Sequence, residues 1–256
     1  MPDALLELRG IEKHYGAVHA LAGVDFDVSA GEVVALVGDN GAGKSTLVKV
    51  ITGVGPADAG RIAFEGQAVR IAHPGDAAAL GISAVYQDLA LCDNLDVVAN
   101  LFLGREARRR GRRGPLDAVT MEQRAGELLA SLSIGGLDDV RREVGTMSGG
   151  QRQSVAITRA LLADARLVVL DEPTAALGVV QTEQVLALVR RLRDRGLGVV
   201  IVSHNLADVF AVADRLTVLR LGRNAGTFPA DPAHRAEVVA AITGAAADLA
   251  PAGGRR

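Results

Sequence analysis

The chain has 256 residues, of which 49% are apolar, and its 28 basic and 30 acidic residues give a formal net charge of -2. This balance excludes the broad basic surface that most nucleic-acid-binding proteins use, so no nucleic-acid partner is expected. No apolar run approaches the roughly 18 residues that span a bilayer. The single cysteine, Cys92, cannot form an internal disulfide, and the N-terminal residues carry charges where a signal peptide needs an apolar core. We therefore expect a globular protein in a reducing, cytoplasmic compartment.

The first part of the chain contains two half-buried strand patterns, at residues 5–16 and 18–31, which mix apolar and polar residues. We expect them to form an N-terminal antiparallel sheet. Residues 32–38 follow as a continuous apolar strand, residues 39–46 as a glycine-rich loop, and residues 46–54 as a helix with apolar side chains at helical spacing. Strand, loop and helix in this order form half of a βαβ unit.

The later part of the chain alternates strand and helix patterns. Strands are predicted over 61–66, 81–87, 166–172, 198–204 and 214–222, with helices over 181–195 and 205–213 between the later ones. This alternation predicts an α/β fold with a mostly parallel sheet and helices outside it. After Leu221 the sequence is rich in alanine and predicts one weak helix over 234–244.

The segment 87–145 interrupts this alternation. It contains two helical patterns, at 97–104 and 121–134, and no strong strand signal, so we predict an inserted helical subdomain. Its connector carries six arginines between residues 105 and 113. A like-charge run of this kind is usually solvated, and a contact with membrane lipid or a partner protein is the alternative that stays open.

The glycine-rich loop matches the phosphate-binding pattern G-x-x-x-x-G-K-[S/T]. Its glycines let successive backbone N–H groups converge on phosphate oxygens, while Lys44 reaches the β and γ phosphates. Ser45 opens the following helix, where its hydroxyl is placed to ligate Mg²⁺. We therefore predict a nucleotide site formed by Gly38, Asp39, Asn40, Gly41, Ala42, Gly43, Lys44 and Ser45.

Two adjacent carboxylates, Asp171 and Glu172, follow the apolar residues 168–170 at the end of a predicted strand. Carboxylates at the end of a buried strand need a cation or a reaction, because burying a charge without a partner is costly. In a phosphate-loop protein an acid at this position holds the metal ion, and we assign that role to Asp171. Glu172 lies one residue further, where it can polarise the water that attacks the γ phosphate.

A second anion-binding segment consists of Ser148, Gly149, Gly150 and Gln151, at the start of a helix predicted over 151–163. A serine and two glycines at a helix start present a hydroxyl and N–H groups to an anion. The chain therefore carries two phosphate-binding surfaces. GTPases and P-loop kinases also contain a phosphate loop, but the second segment disfavours both.

The order of these motifs resembles that of the ATPases of the ABC transporter family. VGDNGAGKST resembles their Walker A motif, MSGGQ their signature and LVVLDE their Walker B motif, and the likeness covers residues 4–225. The fold implied is a P-loop NTPase with a RecA-like, mostly parallel sheet, an N-terminal antiparallel β subdomain and an inserted helical subdomain. In this single ATPase domain, residues 1–88 and 155–225 form the nucleotide-binding core, residues 89–154 the helical subdomain and residues 226–256 a C-terminal tail.

The resemblance also implies roles for single residues. Gln87 in AVYQD matches the family's Q-loop, His204 in IVSHN its switch histidine, and Tyr15 in KHYG the aromatic that stacks on adenine. Three residues are implied in hydrolysis because they would lie near the γ phosphate: Glu172, His204 and Gln87. The residues implied in holding Mg²⁺ are Ser45, Gln87 and Asp171.

A homodimer is implied as well, with each ATP held between Walker A of one subunit and the signature of the other. An isologous arrangement of this kind uses both surfaces twice. The residues implied in nucleotide contact are Tyr15, Gly38, Asp39, Asn40, Gly41, Ala42, Gly43, Lys44, Ser45 and Thr46 from one subunit, and Ser148, Gly149, Gly150 and Gln151 from its partner. Opening and closing of the dimer would drive a membrane partner.

Within the family, the sequence is similar to carbohydrate importers of the ribose, xylose and fructose type, in stretches such as SHNLADVFAVADRLTVLRLGR and NLFLGRE. One complete set of motifs is present, as in the single-domain xylose and fructose types. The implied partners are an integral membrane permease and an extracytoplasmic sugar-binding protein, and the implied location is peripheral, at the cytoplasmic face of the membrane. Two alternatives stay open: an importer of branched amino acids or other small solutes, and an ABC protein of translation or repair.

Gly178 departs from the family pattern. In most members the turn after Walker B ends in an aspartate that reaches across the dimer, whereas this sequence reads AALG. Glycine has no side chain for that contact. We therefore expect an active ATPase with altered cooperativity between its two ATP sites.

Overall fold

The structure is a computed structural model that describes residues 4–109, 114–132, 134, 137, 139–162 and 164–245. The strands within these ranges are β1 Ala4–Tyr15, β2 Val18–Ser29, β3 Val33–Val37, β4 Ala59–Phe64, β5 Gln67–Val69, β6 Ile82–Val85, β7 Leu167–Asp171, β8 Gly198–Val202, β9 Arg215–Arg220 and β10 Arg223–Pro229. The α-helices are α1 Lys44–Ile51, α2 Pro74–Ala79, α3 Val97–Phe102, α4 Ala118–Ser131, α5 Gly149–Leu161, α6 Val179–Asp194, α7 Leu206–Val212 and α8 Arg235–Thr243. Val144–Thr146 and Pro232–His234 form short 3-10 helices.

Two sheets organise the molecule. The first has the order β2-β1-β4-β5 and is antiparallel, and the second has the order β10-β9-β3-β8-β7-β6. In the second sheet the five strands from β9 to β6 run parallel, and only β10 is antiparallel to its neighbour. The predicted α/β fold, with its antiparallel N-terminal sheet, is confirmed.

The central strand β3 shows why the parallel sheet reads as an uninterrupted apolar run. Successive side chains of a strand point to opposite faces, and helices or the other sheet cover both faces here. Val34 and Leu36 pack into the hydrophobic cluster shared with β1, β2 and α1. Val33, Ala35 and Val37 pack into the cluster on the opposite face, together with α5 and α6. All five side chains are buried, so no polar residue interrupts the strand.

A third hydrophobic cluster holds the inserted helices together. Val97 and Leu101 of α3, Met121 and Leu129 of α4, and Val155 of α5 are buried in it. The helix predicted over 97–104 is observed as α3, and the one predicted over 121–134 begins earlier. The inserted helices thus share a buried cluster, and Leu132 and Ile134 connect this segment to the cluster of α5 and α6.

Three elements were missed by the sequence analysis: β5, α2 and β10. Strand β10 lies where only an alanine-rich tail with one helix was predicted. Its side chains are mostly exposed, and it contains Gly226 and Pro229, so it lacks the apolar alternation that marks a strand. Backbone pairing with β9 holds it in the sheet. The predicted helix over 234–244 is observed as α8.

The arginine-rich connector is only partly described. Arg105, Arg108 and Arg109 are exposed, as predicted for a solvated run. Arg109 lies 3.4 Å from Asp117, measured from Nε to Oδ1. The remaining arginines of the run, Arg110, Arg112 and Arg113, lie outside the described residues. Among the residues that are described, no helix combines the length and the apolar character needed to cross a bilayer.

Candidate nucleotide-binding site

The phosphate loop connects β3 to α1, and two of its glycines are required by close backbone approach. A Cβ on Gly38, which has φ of 150°, would lie 2.2 Å from the Leu219 carbonyl oxygen. A Cβ on Gly43, which has φ of 105° and caps α1, would lie 2.9 Å from the Ala20 carbonyl oxygen. Residues with a side chain rarely adopt such φ values. The backbone conformation and the close approach of neighbouring carbonyl oxygens therefore both require glycine at these two positions. The loop thus passes close to β9 at Gly38 and close to β2 at Gly43.

A cavity of about 480 Å³ opens over this loop. Its walls are residues 40–46 on one side, Val18, His19 and Ala20 of β2 on another, and Leu221 with Gly222 on the third. Ser45 and Thr46, at the start of α1, line it as predicted. The N-terminus of a helix carries a partial positive charge and unpaired N–H groups, so the cavity suits an anion.

Lys44 is nearly buried at the base of the cavity, with 9% of its surface exposed. Its Nζ donates to the Gly38 carbonyl oxygen at 2.7 Å and to the Asp39 carbonyl oxygen at 3.0 Å. Burial lowers the pKa of the Lys44 amine, and the negative charges of Glu172, Asp39 and Asp171 oppose that shift. The ammonium is therefore placed in a negatively charged environment, within reach of the phosphate loop.

Strand register brings the remaining predicted groups to the same edge of the sheet. Val202 of β8 pairs with Leu36 of β3 on one side and with Asp171 of β7 on the other. The phosphate loop, His204 and Glu172 each begin within two residues of these three, and they share one edge because the strands are parallel and their carboxyl ends coincide. In sequence, the phosphate loop lies more than a hundred residues before Glu172 and His204.

Glu172 and His204 form a direct pair at this edge. His204 Nδ1 lies 2.8 Å from Glu172 Oε2, and Glu172 has φ of 51°, a left-handed conformation unusual for this residue type. The backbone N–H of Glu172 donates to the Val202 carbonyl oxygen at 2.9 Å, which helps to fix the turn. The side chain of Glu172 is 18% exposed and that of His204 is 74% exposed. Backbone strain of this kind is often found at functional sites.

Asp171 is half-buried beside this pair. Burial raises the pKa of its carboxyl group, the neighbouring Glu172 raises it further, and Lys44 opposes the shift. Two adjacent carboxylates with one nearby ammonium leave negative charge that a divalent cation can neutralise. The arrangement therefore agrees with a metal-binding role for Asp171.

Gln87 and Tyr15 lie at the margins of the site. Gln87 follows β6, the edge strand next to β7, and its side chain is exposed. Tyr15 ends β1 and pairs with Val18, which lines the cavity, while the Tyr15 ring does not line it. The Tyr15 ring is 5.5 Å from Lys13 Nζ, measured to the ring centroid. Their proposed contacts with metal and adenine therefore stay predictions.

The signature segment, residues 148–151, starts α5 and does not line the cavity over the phosphate loop. The Ser148 hydroxyl oxygen accepts from the Gln151 backbone N–H at 3.3 Å, and the Ser148 N–H donates to Gln151 Oε1 at 3.1 Å. This reciprocal cap satisfies helix donors within the chain. A Cβ on Gly149 would lie 2.9 Å from Leu177 Cδ2, and one on Gly150 would lie 2.9 Å from Gln181 Cβ. The two glycines thus allow α5 to pack against the turn after β7 and against the first turn of α6.

Gly178 is the N-cap of α6, with φ of -74° and ψ of 167°, so glycine is not required there by backbone conformation. No side chain caps this helix, and a Cβ on Gly178 would lie 2.7 Å from Gln181 Oε1. The obstacle is the end of a flexible side chain, which can move. The turn can therefore accept the aspartate that the family resemblance implies at this position.

The sequence analysis missed the cavity wall formed by Val18, His19 and Ala20. These residues carry no phosphate-binding pattern, and they reach the loop only because β2 passes beside Gly43. The adjacency of Ala20 to both Gly43 and Gly222 depends on the packing of the two sheets. Short sequence patterns do not reveal contacts that depend on how two sheets pack.

Comparison with known proteins gives consistent results. Residues 21–175 match the family model described as ABC transporter. The chain is 43% identical over 247 residues to the fructose import ATP-binding protein FrcA of Rhizobium meliloti, covering 95% of each chain. It is 47% identical over 219 residues to the xylose/arabinose import ATP-binding protein XylG of Sulfolobus acidocaldarius, covering 86% of each. It is 45% identical to the ribose import ATP-binding protein RbsA 2 of Rubrobacter xylanophilus, but covers only 46% of that longer protein.

Solved structures agree with these sequence relatives. A nucleotide-free ATP-binding cassette from an ABC transporter superposes with a TM-score of 0.80 at 28% identity, covering 94% of this chain and 95% of that one. The ADP conformation of an ATP-binding cassette superposes with a TM-score of 0.80 at 29% identity, covering 94% and 99%. The predicted P-loop NTPase fold and the family resemblance are both confirmed, and the chain belongs to the ABC transporter family as one of its ATP-binding proteins.

Proposed function

We propose that the chain is the ATP-hydrolysing subunit of a sugar importer and that it works as a homodimer. The observation that carries this proposal is the carboxyl edge of the parallel sheet, where the phosphate loop, Asp171 and the Glu172–His204 pair lie together. Such a set can bind a triphosphate, hold a metal ion and activate a water molecule. The signature segment lies outside this cavity, so a second copy of the chain has to supply it.

ATP binds through the phosphate loop in this proposal. The Lys44 ammonium donates to two neutral carbonyl oxygens, and exchange of these partners for β and γ phosphate oxygens gives stronger, charge-assisted hydrogen bonds. The helix start at Ser45 and Thr46 adds backbone N–H groups. Tyr15 is our candidate for stacking on adenine, because it ends β1 beside the cavity wall at Val18.

Mg²⁺ fits the donor set at the sheet edge. This cation prefers oxygen ligands and usually combines one or two carboxylates with substrate phosphates. Ser45 offers a hydroxyl, Asp171 a carboxylate and Gln87 a side-chain carbonyl. Burial, followed by the negative charge of Glu172, raises the pKa of the Asp171 carboxyl group, and a bound cation would offset both effects. Bound Mg²⁺ would neutralise charge on the β and γ phosphate oxygens.

Hydrolysis then proceeds by in-line attack of water on the γ phosphorus. Glu172 accepts a proton from that water, the new oxygen–phosphorus bond forms, and the bond to the ADP oxygen breaks, giving ADP and phosphate. His204 contacts Glu172 at 2.8 Å, and its exposed ring can turn so that the N–H that faces Glu172 is donated to the γ phosphate instead. One chain thus supplies the base and the γ-phosphate donor.

The partner copy completes the site with Ser148, Gly149, Gly150 and Gln151. Their helix N-terminus is an anion-binding end, and it is exposed at Ser148, Gly149 and Gln151 in part or in full. A cassette of the same fold, 24% identical with a TM-score of 0.73, has been solved as a dimer bound to ADP and phosphate. Its likeness shows the fold alone, so the proposed dimer rests on the position of the signature segment outside the cavity.

The transported solute and the other partners are proposed from the relatives. Those with matching length are described as fructose import and xylose/arabinose import proteins. We infer a sugar substrate, an integral membrane permease, an extracytoplasmic sugar-binding protein and a peripheral location at the cytoplasmic face of the membrane. Conformational change of the dimer on ATP binding and hydrolysis would drive the permease.

We keep the division of the single ATPase domain into a core at 1–88 and 155–225, a helical subdomain at 89–154 and a tail at 226–256. The hydrophobic cluster of α3 and α4, which includes Val155 of α5, supports the helical subdomain. Strand β10 joins the tail to the parallel sheet, so we expect the tail to fold with the core.

Sugar uptake tests the proposal in cells that lack this chain. Uptake of labelled fructose, xylose, arabinose and ribose is measured after returning the wild type, Glu172→Gln or the matched control Glu237→Gln, whose exposed carboxylate lies on α8. We expect the wild type and the control to restore uptake of at least one sugar, and Glu172→Gln to fail. Unchanged uptake of all four sugars in cells without the chain would contradict the sugar assignment.

A further inference from the structure

We propose that Glu12, His14 and His19 form a binding site for a divalent transition-metal cation, with Zn²⁺ as the representative ion. One ligand atom from each of the three side chains lies within 4.8 Å of the other two. Among the residues that the structure describes, no other group of three or more His, Cys, Asp or Glu side chains meets this condition. The site takes no part in the hydrolysis proposed above.

The β1–β2 hairpin creates this arrangement. Glu12 and His14 are two residues apart on β1, so their side chains share a face, and His19 of β2 pairs directly with His14. The pairing skips Ala20, because Lys13 pairs with Leu21 and the next pair is His14 with His19. An irregularity of this kind re-aims a side chain. Here it brings an imidazole from each strand to one face.

The side chains are already gathered. The rings of His14 and His19 are stacked, with centroids 4.0 Å apart and planes 13° from parallel. His19 Nε2 contacts a carboxylate oxygen of Glu12. All three side chains are partly exposed, at 32% for Glu12, 49% for His14 and 40% for His19. A cation can therefore enter from solvent, and modest rotation of the rings is enough to direct three donors at it.

The donor chemistry selects the ion. Two imidazole nitrogens and one carboxylate oxygen are a ligand set that Zn²⁺ accepts, with a fourth position left for water. Imidazole ligands favour Zn²⁺, Cu²⁺ and Ni²⁺, whereas Mg²⁺ prefers oxygen ligands throughout. The hairpin site and the proposed Mg²⁺ site at Asp171 are therefore chemically distinct.

Asp58 supports the site from outside. Its Oδ2 accepts from the His14 backbone N–H at 2.6 Å and lies 3.6 Å from His14 Nδ1, while its Oδ1 lies 2.8 Å from Lys13 Nζ. Metal-bound histidines commonly have a carboxylate beside the second ring nitrogen, which orients the ring. Asp58 is placed to do this for His14.

The position of the site gives it a consequence for the nucleotide cavity. His19 lines that cavity together with Val18 and Ala20, and the hairpin forms one of its walls. A cation held by both strands would cross-link β1 and β2 at this wall. The site is therefore a candidate for coupling metal occupancy to nucleotide binding.

Zn²⁺ titration of tag-free, nucleotide-free protein in excess Mg²⁺ tests the proposal by calorimetry. Nucleotide is left out because its phosphates bind Zn²⁺, and excess Mg²⁺ covers the oxygen site. The test variants are His14→Gln, His19→Gln and Glu12→Gln. The matched control is His234→Gln, a histidine near the start of α8. We expect one Zn²⁺ per chain in the wild type and the control, and binding at least about tenfold weaker in each test variant.

A folding control separates loss of the site from loss of the fold. Each variant is melted in chelator to confirm the wild-type transition, and Glu12→Gln keeps the shape of the side chain if a histidine variant is unstable. Ligand that binds only the folded state raises the melting temperature, so Zn²⁺ should raise it in the wild type and less in Glu12→Gln. No heat of Zn²⁺ binding in the wild type, or equal affinity in the wild type and the test variants, would overturn the site.

Discussion

The phosphate loop at residues 38–46 and the signature segment at residues 148–151 are both glycine-bearing helix starts, but they are prepared differently. In the phosphate loop, Gly38 and Gly43 adopt conformations that hold the backbone open toward a cavity. In the signature segment, Ser148 and Gln151 cap each other, and the two glycines face the chain's own side chains. The phosphate loop already faces an open cavity. The helix start at the signature segment has part of its hydrogen bonding satisfied within the chain.

On the proposed mechanism, this difference lets one chain carry two phosphate-binding surfaces without using both on the same ATP. The phosphate loop needs only to exchange the carbonyl partners of Lys44 for phosphate oxygens. The signature segment would exchange its reciprocal cap for a phosphate that another copy presents. We therefore expect the monomer to bind ATP and only the dimer to hydrolyse it.

The largest expected effect comes from removing the base at the sheet edge. Glu172→Gln keeps the shape of the side chain but cannot accept the proton of the attacking water, so ATP hydrolysis should fall by about 100-fold or more. ATP binding, measured by calorimetry in Mg²⁺, should be retained because the phosphate loop is unchanged. Glu237→Gln is the matched control and should hydrolyse ATP like the wild type. Wild-type turnover by Glu172→Gln would remove Glu172 from catalysis.

A charge change tests the signature segment next. Ser148→Asp and Ser148→Asn both keep a good N-cap for α5, but only the aspartate places negative charge where phosphate is expected. We expect ATPase activity to fall about tenfold or more in Ser148→Asp, a loss of roughly 1.4 kcal/mol, and to fall less in Ser148→Asn. ATP affinity of the monomer should be the same in both. Equal activity of the two variants would show that this segment does not face phosphate.

The buried charge of Asp171 at the sheet edge has a smaller expected effect, which is on the free energy of unfolding. Because the pKa of Asp171 is raised, the folded state holds this proton to higher pH than the unfolded state, whose value is near 3.8. The contribution of Asp171 to the free energy of unfolding therefore falls as pH rises from 3.8 through the raised pKa. Asp171→Asn should stabilise the nucleotide-free protein at neutral pH, by on the order of 1 kcal/mol.

Urea unfolding at neutral and mildly acidic pH measures this difference. The gain in Asp171→Asn should shrink as pH is lowered toward the point where the wild-type carboxyl is protonated. Asp194→Asn, at the exposed end of α6, controls for a general change of charge. A variant that is less stable than the wild type at neutral pH would show that Asp171 is already compensated within the chain.

The smallest expected effect concerns Gly178, which follows both regions in the chain. An aspartate there would cap α6 and should raise the free energy of unfolding by only a few tenths of a kcal/mol over glycine. We also expect a higher Hill coefficient for ATP, since the carboxylate can reach across the dimer. Gly178→Asn caps the helix without the charge and is the matched control. An unchanged coefficient in both variants would leave Gly178 as a turn residue only.

Much of the parallel sheet and its site was predictable, because the apolar strands and the motifs that follow them are short, continuous stretches of sequence. Strands such as β3 and β7 are buried on both faces and read as apolar runs. The phosphate loop follows one of these runs, and Asp171 with Glu172 ends the other. Since parallel strands share a carboxyl edge, motif order predicts that these groups meet. The Glu172–His204 pair is the observed outcome.

Features that depend on pairing between distant or irregular strands were not predictable. Strand β10 has mostly exposed side chains, so only its hydrogen bonds to β9 reveal it. The gathering of His14 and His19 depends on the skipped residue Ala20, which no local pattern announces. The same hairpin brings Val18 to the cavity. In each case the register of backbone pairing decides which side chains meet.

Sedimentation of Glu172→Gln in ATP and Mg²⁺ tests the shared site most directly, because the variant binds ATP and cannot consume it. We expect a dimer that holds two ATP molecules. When Ser148→Asp is introduced into the same chain, we expect an ATP-bound monomer. Without nucleotide, both proteins should be monomeric. An ATP-bound Glu172→Gln monomer, or a dimer that Ser148→Asp does not disturb, would contradict the claim that two chains build each site.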